Sequence, residues 1–234
     1  MSLALNFKKN AAFECLKYAD KYGPLKCLEY VATNGILEWL KFLYENDCPW
    51  QEYECSQAAR NGRHLCYYFG RDKKHVCHGI AKNGHLECLK YLHEIGCPFH
   101  PETCNLAAIG GHLECLTYAH ENGCPWSEQT CHDAAKNGHL ECLKYAHENG
   151  CPWSQHTCRY ASNNGHLKCL IYAHKNDCPW RIDTCSEAAR FGHLECLKYA
   201  HENGCPWSHH TCKYATRGGH LECLKYAHDN GCPE

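Results

Sequence analysis

Cysteine and histidine are the residues of this sequence that could do chemistry together. Its 234 residues include 23 cysteines and 20 histidines. In the regular part of the sequence, a His is followed four residues later by a Cys, seven residues after that by a second, and eleven residues further on by a third. One His and three Cys form a tetrahedral donor set for zinc. Because the protein would fill all four coordination positions, the predicted Zn²⁺ is structural rather than catalytic.

This spacing defines five complete sets of zinc ligands, each of which spans two successive copies of a repeat. The sets are His93/Cys97/Cys104/Cys115, His120/Cys124/Cys131/Cys142, His147/Cys151/Cys158/Cys169, His174/Cys178/Cys185/Cys196 and His201/Cys205/Cys212/Cys223. A partial set, Cys48/Cys55/Cys66, has Tyr44 where the His belongs. That partial set either recruits another ligand or stays empty.

A second grouping of the same residues takes all four ligands from one repeat: Cys115, His120, Cys124 and Cys131. Geometry disfavours it, because Cys115 and His120 would lie about 140° apart round a helix and about 7.5 Å apart along it. Near the start of the chain, the four positions of the repeat-spanning set lose their ligands together, being Asp20, Pro24, Leu28 and Trp39. Joint loss is expected of residues that act as a unit, so we predict the repeat-spanning sets.

A repeat of about 27 residues must position these ligands. GHLECLTYAHENGCPWSEQTCHDAAKN begins at Gly111, and similar copies begin at Gly138 and Gly165. At 100° per residue, Cys115, Leu116 and Ala119 share one arc with His120 and Leu113, and Glu114, Thr117 and Tyr118 lie outside it. The pattern predicts an amphipathic helix with one buried stripe.

Each repeat also carries the signals for a second, shorter helix. Asn122-Gly123 and the following Pro125 end the first helix. Ser127 is a suitable N-cap for a second helix through Ala135, and Asn137-Gly138 then turns the chain back. The sequence therefore predicts helix–turn–helix units.

One such unit cannot bury its apolar stripe alone, so neighbouring units must stack. We predict an all-α helical-repeat solenoid over residues 1–234. It comprises a divergent N-terminal cap repeat (1–34), two degenerate repeats (35–83), five regular repeats (84–218) and a truncated C-terminal cap repeat (219–234).

The repeat resembles the ankyrin repeat. Gly138-His139-Leu140-Glu141 is similar to the start of the second ankyrin helix, and Thr130-Cys131-x-x-Ala134-Ala135 is similar to the Thr-Pro-Leu-His-x-Ala-Ala helix. Ankyrin units have 33 residues, and the six missing here would have built the β-hairpin finger. The short, Cys-rich form resembles repeats encoded in multiple copies by giant viruses of amoebae. The resemblance implies a protein-binding scaffold, ankyrin-like without fingers, in the host cytoplasm or nucleus or packaged in a virion.

The resemblance further implies that the recurrent Cys and His side chains are buried, since ankyrin repeats have apolar residues at these positions. Cys can serve there as an inert small hydrophobe. A buried imidazole needs partners for both ring nitrogens, which favours zinc over an inert core. Disulfides are the third alternative. They require an oxidising compartment, whereas the N-terminal residues lack a signal-peptide core and predict an intracellular protein with reduced thiols.

Two further recurrent features have structural interpretations. The His that follows each junction glycine, as in His112 and His139, is interpreted as local capping and packing. The aromatic residue of the CPW turn is expected to pack over the helix ends, with an exposed ladder for a partner as the alternative. It recurs as Trp50, Phe99, Trp126, Trp153, Trp180 and Trp207.

Composition and motifs narrow the function. A net charge of −2 gives little attraction for nucleic acid, although a nucleic-acid-binding zinc repeat remains an alternative. A metal-free or disulfide-linked structural protein of a virion is another. The sequence contains no glycine-rich phosphate loop, nucleophile elbow or HExxH helix, so we predict neither an enzyme nor a small-molecule substrate. No stretch is apolar enough to predict a membrane span. Another protein is the expected partner.

Overall fold

Paired antiparallel helices of eight to ten residues repeat along the chain in the computed structural model. The structure describes residues 79–96 and 98–233, together with Leu37 and Lys41. The long helices of the repeats are α1 (Leu86–Glu94), α3 (Leu113–Glu121), α5 (Leu140–Glu148), α7 (Leu167–Lys175), α9 (Leu194–Glu202) and α11 (Leu221–Asp229). The short helices are α2 (Pro101–Gly110), α4 (Glu128–Asn137), α6 (Gln155–Asn163), α8 (Thr184–Phe191) and α10 (Thr211–Gly218).

Helix α4 shows how a short helix begins and ends at residues that satisfy its terminal backbone groups. The Ser127 hydroxyl accepts a hydrogen bond from the backbone N–H of Gln129, which confirms the predicted N-cap of α4. Helix α4 continues two residues beyond the predicted end, to Asn137, and stops at Gly138 in the left-handed conformation with φ +79°. Glycine is suited to this position because it has no Cβ to clash in that conformation.

The two helices of a repeat bury small apolar side chains against each other and against the neighbouring repeats. Cys115, Leu116 and Ala119 of α3 are buried, as the helical wheel predicted, and Leu113 is half-buried. On α4, Cys131 is buried together with Ala134 and Ala135. The same positions form one continuous core through most of the described repeats. A core of Cys, Ala and Leu lets the helices approach closely.

Stacking is tighter on one side of the array. Successive short helices, such as α8 and α10, pack more closely than successive long helices, such as α9 and α11. The described residues contain no strand, so the architecture is the predicted all-α helical-repeat solenoid.

Several sequence predictions fall outside the described residues. These are the N-terminal cap repeat 1–34, nearly all of the degenerate repeats 35–83, the partial set Cys48/Cys55/Cys66, the aromatic Trp50, and the ligand Cys97.

Candidate functional site

The predicted ligand histidines lie in aromatic clusters at the junctions between repeats. The His120 ring stacks on Trp126 with 3.5 Å between ring centroids and 12° between ring planes. Its Nδ1 lies 3.2 Å from the hydroxyl of Tyr145, which belongs to the next repeat. Tyr145 also meets the Trp126 ring edge-on. The cluster therefore ties the turn of one repeat to the long helix of the next.

The same cluster recurs along the array. His147 stacks on Trp153 at 3.7 Å, and its Nδ1 lies 3.2 Å from the hydroxyl of Tyr172. The equivalent groups are His93/Phe99/Tyr118, His174/Trp180/Tyr199 and His201/Trp207/Tyr226. The turn aromatics are half-buried by packing between repeats. The sequence analysis placed Tyr118 outside the buried arc and missed the contribution of the Tyr ring and hydroxyl.

The cysteines of the turn and of the short helix form a second junction feature. Cys151, in the turn, donates through Sγ to the carbonyl of Ser127 at 3.2 Å. Cys131, on the preceding short helix, donates to the carbonyl of Cys151 at 3.9 Å. A hydrogen bond between the two thiols and burial together raise the pKa of Cys131. Equivalent contacts join Cys104 to Cys124, Cys158 to Cys178, and Cys185 to Cys205.

The long-helix cysteines form a separate buried column. Cys142 has Cys115 and Cys169 of the adjacent repeats as its neighbours. Burial raises the pKa of Cys115 to about 11 and that of Cys142 to about 12. These thiols are therefore neutral at physiological pH. No disulfide joins any of the cysteines that the structure describes.

These contacts group the predicted ligands differently from the zinc sets. His120 lies against Trp126, Cys131 lies with Cys151, and Cys142 lies in the long-helix column. Within residues 79–96 and 98–233, no three or more His, Cys, Asp or Glu side chains are arranged to hold a metal ion. The five zinc sets stay predictions.

The last predicted set, which contains Cys212, shows the same grouping at the C-terminal end of the array. Cys212 is 7% exposed and packs with Ala227 and Cys232 in a small cluster of its own at the C-terminal end of the array. Cys223, its predicted co-ligand, belongs instead to the main core. Cys205 lies against the short-helix Cys of the preceding repeat. Cys212 is therefore buried, as predicted, and it packs with the turn cysteine twenty residues later, as Cys131 does with Cys151.

The histidine that follows each junction glycine connects repeats, and its interpretation as a local cap is wrong. His139 makes no side-chain cap hydrogen bond to α5. Its Nε2 donates to the carbonyl of Ile109, thirty residues earlier, at 3.0 Å. The ring covers Gly111, where an added Cβ would lie 2.4 Å from Nδ1. His166 covers Gly138 and hydrogen-bonds to the Lys136 backbone in the same way.

Differences between the repeats are concentrated on the short helices and at the residues that precede them. LECLKYAHE occurs unchanged at Leu140–Glu148 and at Leu194–Glu202, and the other long helices differ from it at one to three positions. On the short helices, the positions one, two and five residues after the Cys lie 100° to 200° round the helix from it. Their exposure ranges from buried, as at Ser186 and Glu187, to exposed, as at Lys136 and Arg217. They are Asn105/Leu106/Ile109, His132/Asp133/Lys136, Arg159/Tyr160/Asn163, Ser186/Glu187/Arg190 and Lys213/Tyr214/Arg217. We refer to these fifteen residues as the short-helix face.

The short-helix face combines charged, amide and aromatic groups. Arg159 donates to Glu187 at 2.9 Å, and its Nε lies 3.2 Å from Asp183. His132 contacts the Ser154 hydroxyl, and burial lowers its pKa. The sequence analysis did not identify this face. Aligning the repeats position by position and asking where they differ would have found it.

The described residues include no helix that is long and apolar enough to span a membrane. Scanning the sequence against protein-family models found no match, and searching the curated proteins found none. Among solved structures, the chain is similar to the ankyrin repeat domain of human ASB11. The TM-score is 0.56 at 21% sequence identity, with 66% of this chain and 83% of that chain covered. The likeness shows that the fold is ankyrin-like.

Proposed function

We propose that this ankyrin-like solenoid is a non-enzymatic scaffold that binds another protein through its short-helix face. One observation carries the proposal: copies whose long helices are nearly identical differ at almost every position of this face. The residues facing the core change little, since each short helix has Thr-Cys before the face and Ala three residues after the Cys. If this face met only solvent, its residues should differ between repeats no more than the solvent-exposed residues of the long helices do.

The chemistry of the face favours a protein partner. Tyr160 and Tyr214 lie beside cations and amides, and aromatic and Arg side chains are enriched in protein interfaces. Nucleic acid would require a row of unpaired cations along the array. Here Arg159 is neutralised by Glu187 and Asp183, and Asp133 occupies the corresponding face of α4.

A paired charge-reversal experiment tests the proposal. K136E/K213E alters two exposed lysines of the short-helix face, and K168E/K225E makes the same charge change on exposed positions of α7 and α11. Each tagged protein is used to capture partners from an extract of the cells in which it occurs, with quantitative mass spectrometry as the readout. At least one protein should be retained by the wild type and by K168E/K225E but lost from K136E/K213E. Identical captured sets from both variants, or none from the wild type, would contradict the proposal.

Structural zinc at the junctions is a separate proposal. Its support is the recurrence of one His and three Cys in the sequence. The structure does not add to that support, because the described His rings lie against the turn aromatics. Protein binding through the short-helix face does not depend on it.

A further inference from the structure

The short-helix face contains an open groove between α8 and α10. Arg190, Phe191, Tyr214, Arg217 and Gly218 line it, and its volume is about 340 Å³. Ligand pockets begin at roughly this size, so a few peptide side chains fit. The residue at the position of Phe191 is Gly or Asn in the other described repeats, at Gly110, Asn137, Asn164 and Gly218.

Neither arginine of the groove is fully neutralised by a carboxylate of the described residues. The Glu187 carboxylate already accepts hydrogen bonds from Arg159 at 2.9 Å and from Asn163 at 3.3 Å. Arg190 is left 3.9 Å from Glu187, a long contact for an ion pair, and its side chain is 54% exposed. Arg217 is exposed, and no carboxylate within the described residues pairs with it. Two guanidinium groups therefore face the groove without full neutralisation.

Aromatic rings hold one guanidinium in place. The Arg190 Cζ lies 5.2 Å from the ring centroid of Phe191 and 5.6 Å from that of Tyr214. These are cation–π distances. Tyr214 is itself stacked against His210 at 5.2 Å. Phe191 is 44% exposed, so an apolar surface adjoins the cations. An arginine held in this way loses less entropy when it binds a carboxylate.

We propose that this groove binds an acidic segment of the partner protein. Asp or Glu carboxylates pair with Arg190 and Arg217, and an apolar residue of the same segment packs on Phe191. The inference rests on the proposed function and names the chemistry of its ligand. A peptide is favoured over a nucleic acid because a phosphate backbone needs a longer cationic track. The carboxylates of Asp183 and Glu187, which pair with Arg159 beside the short helices, interrupt such a track.

The test is fluorescence anisotropy of the full chain with a fluorescein-labelled eight-residue peptide of Glu and Leu. Binding should weaken at least tenfold in R190Q/R217Q, since each lost charge-assisted pair contributes on the order of that factor. F191N, which installs the residue found at positions 137 and 164, should also weaken binding without a charge change. K168Q/K225Q makes the same charge change as R190Q/R217Q and should stay within twofold of wild type. Circular dichroism confirms that the variants are folded.

Three results would overturn the inference: no binding by the wild type, equal losses in R190Q/R217Q and K168Q/K225Q, or tighter binding of a labelled ten-residue oligothymidine. If the peptide fails while K136E/K213E still loses a captured protein, the acidic-ligand inference falls and the proposed function stands.

Discussion

The contact between each junction glycine and the histidine of the next repeat makes a quantitative prediction. In Gly111→Ala, the new Cβ would lie 2.4 Å from Nδ1 of His139, and the backbone has φ +74°. In Gly123→Ala, the backbone is equally left-handed at φ +84°, but nothing lies within 4 Å of the new Cβ. The two substitutions are chemically identical and lie twelve residues apart in the sequence. They differ in whether the next repeat covers the glycine.

The magnitudes follow from separate contributions. An alanine in the left-handed region costs about 1–2 kcal/mol at either site, and the reduced entropy of the unfolded chain offsets both equally. At Gly111 the His139 ring must also move and lose its 3.0 Å hydrogen bond to the Ile109 carbonyl, which costs about 1 kcal/mol more. Gly111→Ala should therefore lower the free energy of unfolding by at least about 1 kcal/mol more than Gly123→Ala.

Urea unfolding followed by circular dichroism measures this difference, and two controls isolate its cause. In a His139→Ala background, Gly111→Ala should cost no more than Gly123→Ala. Gly219→Ala tests the same repeat position at φ +73° with nothing within 4 Å, so it should resemble Gly123→Ala. Equal destabilisation by Gly111→Ala and Gly123→Ala in the wild-type background would refute the reasoning.

Four further predictions concern the junctions. Tyr172→Phe removes the hydroxyl 3.2 Å from His147 and should lower the free energy of unfolding by about 1 kcal/mol in urea titrations, whereas an unchanged midpoint would contradict the contact. Burial lowers the pKa of His132, so folding favours the neutral form of its ring. The free energy of unfolding should therefore keep its full value above pH ~6.5 and fall as the pH drops below it. His132→Asn, which copies Asn105, should flatten that fall between pH 8 and 5, and a parallel curve would refute the assignment. Burial raises the pKa of Cys142 to about 12, so this thiol should resist iodoacetamide at pH 8 until urea is added. Peptide mass spectrometry would measure the labelling, and rapid labelling of the native protein would contradict the burial of Cys142. If the predicted zinc sets form, elemental analysis should find about five zinc ions per chain and a chelator should lower the unfolding midpoint, whereas well under one zinc per chain would rule them out.

Features set by neighbouring residues could be predicted from the sequence. The Ser127 cap depends on a backbone N–H two residues away, and the αL stop at Gly138 depends on the glycine itself. The buried stripe of Cys115, Leu116 and Ala119 follows from helix periodicity alone. These signals are local, so the helices and the solenoid class were predictable.

Contacts between repeats were less predictable, because they depend on how one unit is rotated against the next. His139 reaches a carbonyl thirty residues earlier, although its position at a helix start suggested a cap. Tyr118 was expected outside the buried arc, yet it meets His93 and Phe99 of the preceding repeat. Sequence spacing fixes which residues lie on a face, but it does not fix which face of the neighbouring unit they meet.

The distribution of these contacts explains why the repeats differ where they do. Each His–Trp–Tyr cluster and each His–Gly contact takes side chains from two adjacent repeats, so a change on one side requires a matching change on the other. The long helices and turns are therefore held close to one sequence along the array. The short-helix face also has contacts between repeats, such as Arg159 with Glu187, but these pairs differ from one junction to the next. A residue such as Arg217 can change without disturbing the stack. The array can thus keep one stacking geometry while its short-helix face is adapted to a particular partner.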